Sequence, residues 1–275
     1  MSMLVTKADG TTEAFDSTKL ELSLRRSGAA PEAVEEIVEE INKELYSGIT
    51  TSEIYRRAFA HLRSRKRGVA ARYSLKRAVL EFGPSGFPFE AYLAELFRAE
   101  GYTAEIDQII KGACVEHEVD VVMHKNTIAT YVEAKFHNTP GFKTDLKTTL
   151  YVKARIDDIR AANPNTTVEG LIVTNTKFTT VAIQYATCQK LPLLAWEYPQ
   201  EGNLHDRIDA AKLYPITALT TLSKHEKIAL LEEKKVLCNA LAGDSDALLR
   251  AGVVGKRVDL VLQEVGALCV PGKDI

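Results

Sequence analysis

The chain has 275 residues, 45% hydrophobic and 26% charged, enough to bury a sizeable core and, at roughly 150 residues per domain, to form more than one domain. Thirty-five basic against 37 acidic residues leave a formal charge of −2, which argues against coating nucleic acid by bulk charge but not against a local basic cleft. No apolar run approaches the roughly 18 residues of a membrane span, and the opening MSMLVTKADG has no secretory core. The four cysteines lack metal spacing, so we expect a cytoplasmic protein with reduced thiols and no membrane partner.

Composition shifts at GPSGFP (83–88) and near YPQEGN (198–203) mark three segments, 1–83, 84–200 and 201–275. In the first, strand-like runs 3–7 and 12–15 flank Ala8-Asp9-Gly10-Thr11, a hairpin signal because Asp-Gly accepts positive φ. Asp16 is placed to cap a helix to about Arg26. Pro31 opens a second helix carrying Val34, Ile37, Val38 and Ile41 at helical spacing. Thr50 and Glu53 form a capping box, and helices are expected over 51–65 and 69–82.

These stretches, VTKADGTTEAFDSTKL, GITTSEI and VAARYSLKRA, resemble the ATP-cone, a regulatory nucleotide-binding domain. The resemblance implies a hairpin on four helices that holds ATP or dATP through Lys7, Glu13, Lys19 and Thr51, with Lys76 and Arg77 near the phosphates. Ala8 stands where the family often has a second basic residue. Lysines suit a triphosphate as point charges, and Glu13 can accept from a ribose or amine. No GxxxxGK[ST] is present, so binding without P-loop hydrolysis is expected. The run from Arg56 to Arg77 contains nine cations and no acid, a pattern that usually marks solvated helix faces.

The middle segment reads as helix 89–99, strands 102–110, 119–123 and 127–135, helix 144–162, strand 168–174, helix 178–189 and strand 191–196. That αβββαβαβ order gives a mixed sheet flanked by helices. Period two puts Glu133 and Lys135 on one strand face, and antiparallel pairing can bring Asp120 alongside. Two converging carboxylates make an oxygen-rich site suited to Mg²⁺, and an adjacent lysine can polarise an attacking water. Lys143, Lys147, Tyr151 and Arg155, four apart, give a face that could follow a DNA backbone.

Val119-Asp120 with Glu133-Ala134-Lys135, together with FEAYLAELFRAEGY and LIVTNTKFTTVAIQYA, resembles the Mrr-like branch of the PD-(D/E)XK nucleases. The resemblance implies metal ligation by Asp120, Glu133 and the Ala134 carbonyl, a catalytic Lys135, and Glu90 completing the site. The last segment is expected to be helical, over about 224–242, from a cap at Asp244 to Arg250, and over 255–269. Its stripe of Ile228, Leu231, Val236, Leu237 and Leu241 is expected to form core.

The whole is therefore an α/β, multidomain chain. The expected function is a nucleotide-regulated, Mg²⁺-dependent DNA endonuclease of restriction or phage-defence type, acting as a homo-oligomer. The alternatives are a nucleotide-sensing DNA-binding regulator on an inactive nuclease scaffold, and an RNA nuclease.

Overall fold

The computed structural model describes residues 3–8 and 10–269. Strands β1 (Leu4–Thr6) and β2 (Thr12–Ala14) pair antiparallel, with Val5 opposite Glu13. Gly10 adopts the positive φ, 82°, that the turn requires; Asp9, its expected companion, lies outside the described residues. The Asp16 carboxylate accepts from the Thr18 N–H at the head of α1 (Ser17–Arg26). Helix α2 (Pro31–Glu44) starts on its proline and buries the four expected apolar positions, and the Thr50 hydroxyl accepts from the Glu53 N–H to start α3 (Thr51–Arg65). The helix expected over 69–82 is two, α4 (Arg67–Tyr73) and α5 (Leu75–Leu80). They break at Ser74, which leaves helical ψ and turns its hydroxyl onto the Ala71 carbonyl.

The middle follows the expected order. It runs α6 (Phe87–Ala99), β3 (Thr103–Lys111), β4 (Glu116–Lys125), β5 (Ile128–Lys135), β6 (Lys143–Thr144) and α7 (Leu146–Ala162). Then come β7 (Thr167–Thr174), β8 (Lys177–Phe178), α8 (Thr180–Cys188) and β9 (Leu193–Leu194). The main sheet has the order β3-β4-β5-β7-β9, its first two pairings antiparallel and its last two parallel. The short parallel pair β6–β8 is an addition that no periodicity of two residues could signal. Val152, Ile156 and Ile159 of α7 and Ala182 and Ala186 of α8 close over Val122, Tyr131 and Ile172 of the sheet.

Beyond the sheet lie α9 (Leu204–Ala211), α10 (Lys224–Glu232), α11 (Ser245–Arg250, capped by Asp244) and α12 (Lys256–Cys269). The helix expected over 224–242 stops at Glu232: Lys234 takes φ 60° and a 3₁₀ turn follows over Cys238–Leu241. Helix α10 buries Glu226 and Leu230, so Ile228, on another face, falls outside the expected core at 42% exposure.

The chain forms two compact units. One comprises the residues up to Ala78, Tyr214–Leu230 and the chain from Cys238 on; the other is Val79–Leu213 with Leu231–Leu237. Residues 201–275 thus contribute to both. In the first unit α12 packs on α4, and buried Glu264 accepts from the N–H and hydroxyl of both Thr220 and Thr221 at 2.6–2.8 Å. The expectation of four reduced thiols is corrected here. Packing of α12 against the 3₁₀ turn brings Cys238 and Cys269 to a Cα separation of 6.7 Å, within disulfide reach, and they are bridged; Cys114 and Cys188 are free and exposed. Among the described residues no helix is long and apolar enough to cross a membrane.

Candidate active site and nucleotide-binding face

The β4–β5 ladder carries Val121 opposite Val132, so Asp120 and Glu133 follow as the next positions of the two strands. There the Asp120 side chain intervenes, its Oδ2 accepting from the Ala134 N–H at 2.7 Å. Glu133 is 4% exposed, too buried to stand ionised without partners. Lys135 Nζ lies 2.5 Å from its Oε1, and Arg155 Nη1, from α7, donates to its Oε2. Arg155 is itself 8% exposed, lies 4.5 Å over the Tyr151 ring and donates to the Tyr151 hydroxyl. Its Nε has no hydrogen-bond partner.

This overturns part of the expected DNA-tracking face. Lys147 and Tyr151 are exposed on α7 and Lys143 on β6, but Arg155 turns inward to a carboxylate. Helical spacing reports which residues share a face; it carries no signal that the sheet beneath offers a buried anion.

Glu90, in the first turn of α6, is half-buried. Burial, then repulsion from Asp120, Asp107, Glu118 and Glu133, pushes its pKa up to about 7. Burial and the neighbouring Glu133 raise Asp120 to about 6, against the Ala134 N–H and the charges of Lys135 and Arg155. The four expected residues therefore belong to one electrostatic cluster, together with Asp107, which the sequence reading passed over. Asp107 adopts a positive φ of 55° within β3, a local irregularity with no sequence signature in a non-glycine residue.

Hard carboxylate oxygens at elevated pKa are a donor set that a divalent cation would suit. Among the described residues no three metal-ligating side chains stand as a ready-made cage, and both Glu133 oxygens already carry cationic partners. The set fits a cation in its chemistry, with Lys135, the more exposed partner, the one free to yield.

Of the two histidines beside the site, His117 Nε2 donates to Asp158 at 2.7 Å, and that contact with the Cys114 and Val115 N–H groups lowers the Asp158 carboxyl to about 2. His137 stacks on Phe142, and its Nε2 lies 3.2 Å from the Thr144 hydroxyl.

On the hairpin of the other unit, Lys7 and Lys19 converge on Glu13 at 2.6 and 3.2 Å. Both lysines hold the Glu13 carboxyl below its ordinary range. Thr6 bridges to Thr50, which brings the head of α3, and so Thr51, to the hairpin. Arg77 lies over the Tyr55 ring, one turn along α3 from Thr51, and Lys76 precedes it on α5. Much of the basic run is internally engaged: Arg57 pairs with Glu44 and Glu53, Arg65 with Glu36, and Arg63 donates to the Thr220 carbonyl.

Family models match three successive stretches: an ATP cone domain over residues 3–79, a restriction endonuclease over 84–197, and an AF1548-like C-terminal region over 214–269. An uncharacterized protein of Archaeoglobus fulgidus is 32% identical over 173 residues, covering 62% of this chain and 97% of its own. The crystal structure of the protein of unknown function AF1548 superposes with a TM-score of 0.56 at 28% identity, over 68% of this chain and all of that one. The MspJI restriction endonuclease in complex with an oligonucleotide aligns over 55% of this chain and 32% of its own, at 16% identity and a TM-score of 0.29, too loosely to carry an argument.

Proposed function

Because the chain joins an ATP cone domain to an Mrr-like restriction endonuclease domain, we propose that it is a Mg²⁺-dependent DNA endonuclease whose cutting responds to ATP or dATP. The observation that carries this reading is Asp120 beside the Glu133–Lys135 pair, on adjacent strands, with Glu90 close enough that repulsion and burial raise both Glu90 and Asp120. Asp120, Glu133 and the Ala134 carbonyl would hold the cation, with Glu90 beside them. Bound there, a divalent cation supplies Lewis-acid polarisation of the phosphodiester. Arg155 keeps Glu133 oriented through Oε2. Lys135, released from Oε1, orients the attacking water and offers positive charge to the phosphate as its charge builds.

In this reading residues 1–83 are the sensor, 84–200 the nuclease and 201–275 a helical accessory region, in a cytoplasmic restriction or phage-defence protein. Lys7, Glu13, Lys19 and Thr51 would hold the nucleotide, with Lys76 and Arg77 toward its phosphates. Cutting both strands requires two active sites, so a homo-oligomer is the natural switched element, and exposed Lys66 and Arg67 are candidates for its contact.

The test is supercoiled plasmid, and separately a structured RNA, incubated with Mg²⁺, with EDTA, and with or without ATP and dATP. Mg²⁺-dependent nicking of the plasmid is expected. DNA binding without cutting under every condition would favour the regulator on an inactive scaffold. The engagement of both Glu133 oxygens by cations is the observation on that side.

A further inference from the structure

The main-chain ladder between β5 and β7 ends at the pair Lys135–Thr174. Past that point the next residues are joined by side chains. Asn175, 1% exposed, accepts through Oδ1 from the His137 N–H at 2.8 Å and donates through Nδ2 to the His137 carbonyl at 2.7 Å. Its planar amide reproduces the donor and acceptor that another strand residue would have offered. Thr174, fully buried, donates its hydroxyl to the Lys135 carbonyl at 2.8 Å and exchanges a 3.2 Å contact with the Thr176 hydroxyl. Phe136, between the two clamped residues, packs on Phe89 and Phe82. Beyond His137 the chain leaves for the exposed stretch 138–143.

The backbone carrying Lys135 would otherwise be the last residue of a strand running into a loop, the place where strands fray. Asp120 and Glu133 do not share that weakness, being tied to the Ala134 N–H and to Arg155. Buried threonine and asparagine at the end of the apolar run Leu171–Val173 thus have a use that strand propensity does not explain.

We propose that Thr174 and Asn175 are positioning residues that fix the main chain around Lys135, so that the lysine, rather than the carboxylate pair, depends on them. The inference rests on the nuclease reading, and its test separates the two. In Asn175→Leu, similar in size but without the acceptor for the His137 N–H and the donor to its carbonyl, amide hydrogen exchange at His137 should rise at least about tenfold, with the Val132 amide unchanged. Thr174→Val keeps the side-chain volume and loses the bond to the Lys135 carbonyl, while Thr174→Ser restores it. Single-turnover plasmid cleavage should fall about 10- to 100-fold in Asn175→Leu and Thr174→Val and recover in Thr174→Ser. Divalent-cation affinity, by calorimetry with Mn²⁺, should stay within about threefold of the parent in every variant.

Unchanged exchange at His137 together with parental cleavage overturns the proposal. So does a parallel loss of cation affinity and cleavage, which would make the clamp a support of the whole site. A parent that never cuts refutes the nuclease reading, while the exchange and calorimetry arms still judge the clamp.

Discussion

The proposed nuclease site and the proposed nucleotide face are each built from a carboxylate between two cations, and burial makes them opposites. Glu133 is enclosed, with Lys135 and the buried Arg155 on its two oxygens. Glu13 sits on a small hairpin between Lys7 and Lys19, all three substantially exposed. An exposed triad is worth little to the fold, is screened by salt, and can exchange partners when a polyanion arrives. In the buried one Arg155 cannot leave without stranding charge, whereas Lys135, partly exposed, can yield to a cation that takes its place. The same residue types therefore make a reorganisable charge cluster in one unit and a cluster anchored by Arg155 in the other, as the proposed nucleotide and catalytic roles would require.

The largest effects should come from breaking the buried frame. Asp120→Asn and Glu133→Gln should each reduce Mg²⁺-dependent cleavage by at least about 100-fold, measured on plasmid. Their stabilities should diverge. Asp120→Asn relieves carboxylate repulsion and keeps an acceptor for the Ala134 N–H, so its unfolding free energy should hold or rise. Glu133→Gln removes the charge that pairs Arg155 and should cost about 1–3 kcal/mol by denaturant unfolding. Equal stabilities in the two variants would show that the Arg155 pair contributes nothing.

A smaller effect tests the electrostatics. Glu90 and Asp120 bind protons more tightly in the folded chain, at about 7 and about 6, than at their ordinary values near 4.5 and 3.8. Their contribution to stability is present below pH 4 and is lost as pH rises through 6 and 7. Without divalent cation, Tm should therefore decline across that window, and the decline should be shallower in Asp120→Asn. Asp158 and Glu226, both lowered to about 2, act with the opposite sign but only as pH falls below about 4. Mg²⁺ should flatten the decline, because its binding favours the ionised carboxylates.

Much of this comparison was legible in the sequence, for identifiable reasons. Caps and periodicity placed α1, α2 and α3, because Asp16, Pro31 and Thr50 act locally on the chain that bears them. The chain order of helices and strands and the shared face of Glu133 and Lys135 were legible because periodicity is a local property. What lay hidden was settled across the fold. Arg155 turned inward because β5 presents a buried anion under α7, and helix 69–82 broke at a serine hydroxyl bond that propensity hardly weighs. Asn175 stood within a block already singled out, but its role required knowing where the β5–β7 ladder stops. The Cys238–Cys269 bridge joins residues 31 positions apart, which no spacing rule pairs.

The smallest structural effect should carry the clearest functional one. Lys7→Ala with Lys19→Ala removes both partners of Glu13, yet the ion pairs lie at the surface, so the unliganded Tm should hardly move. Parent protein at saturating ATP or dATP should show a raised Tm, since a ligand bound only to the folded state stabilises by mass action, about 2.7 kcal/mol at 100-fold excess over Kd. The double variant should lose that rise because nothing remains on the hairpin to neutralise the triphosphate. Glu13→Gln separates charge from contact: it frees both lysines from their resident anion, and ATP affinity should increase if the carboxylate competes with phosphate, or fall if Glu13 itself grips the ribose or amine. A parent whose Tm ignores saturating ATP and dATP would remove the nucleotide from the hairpin altogether and leave the triad as ordinary surface.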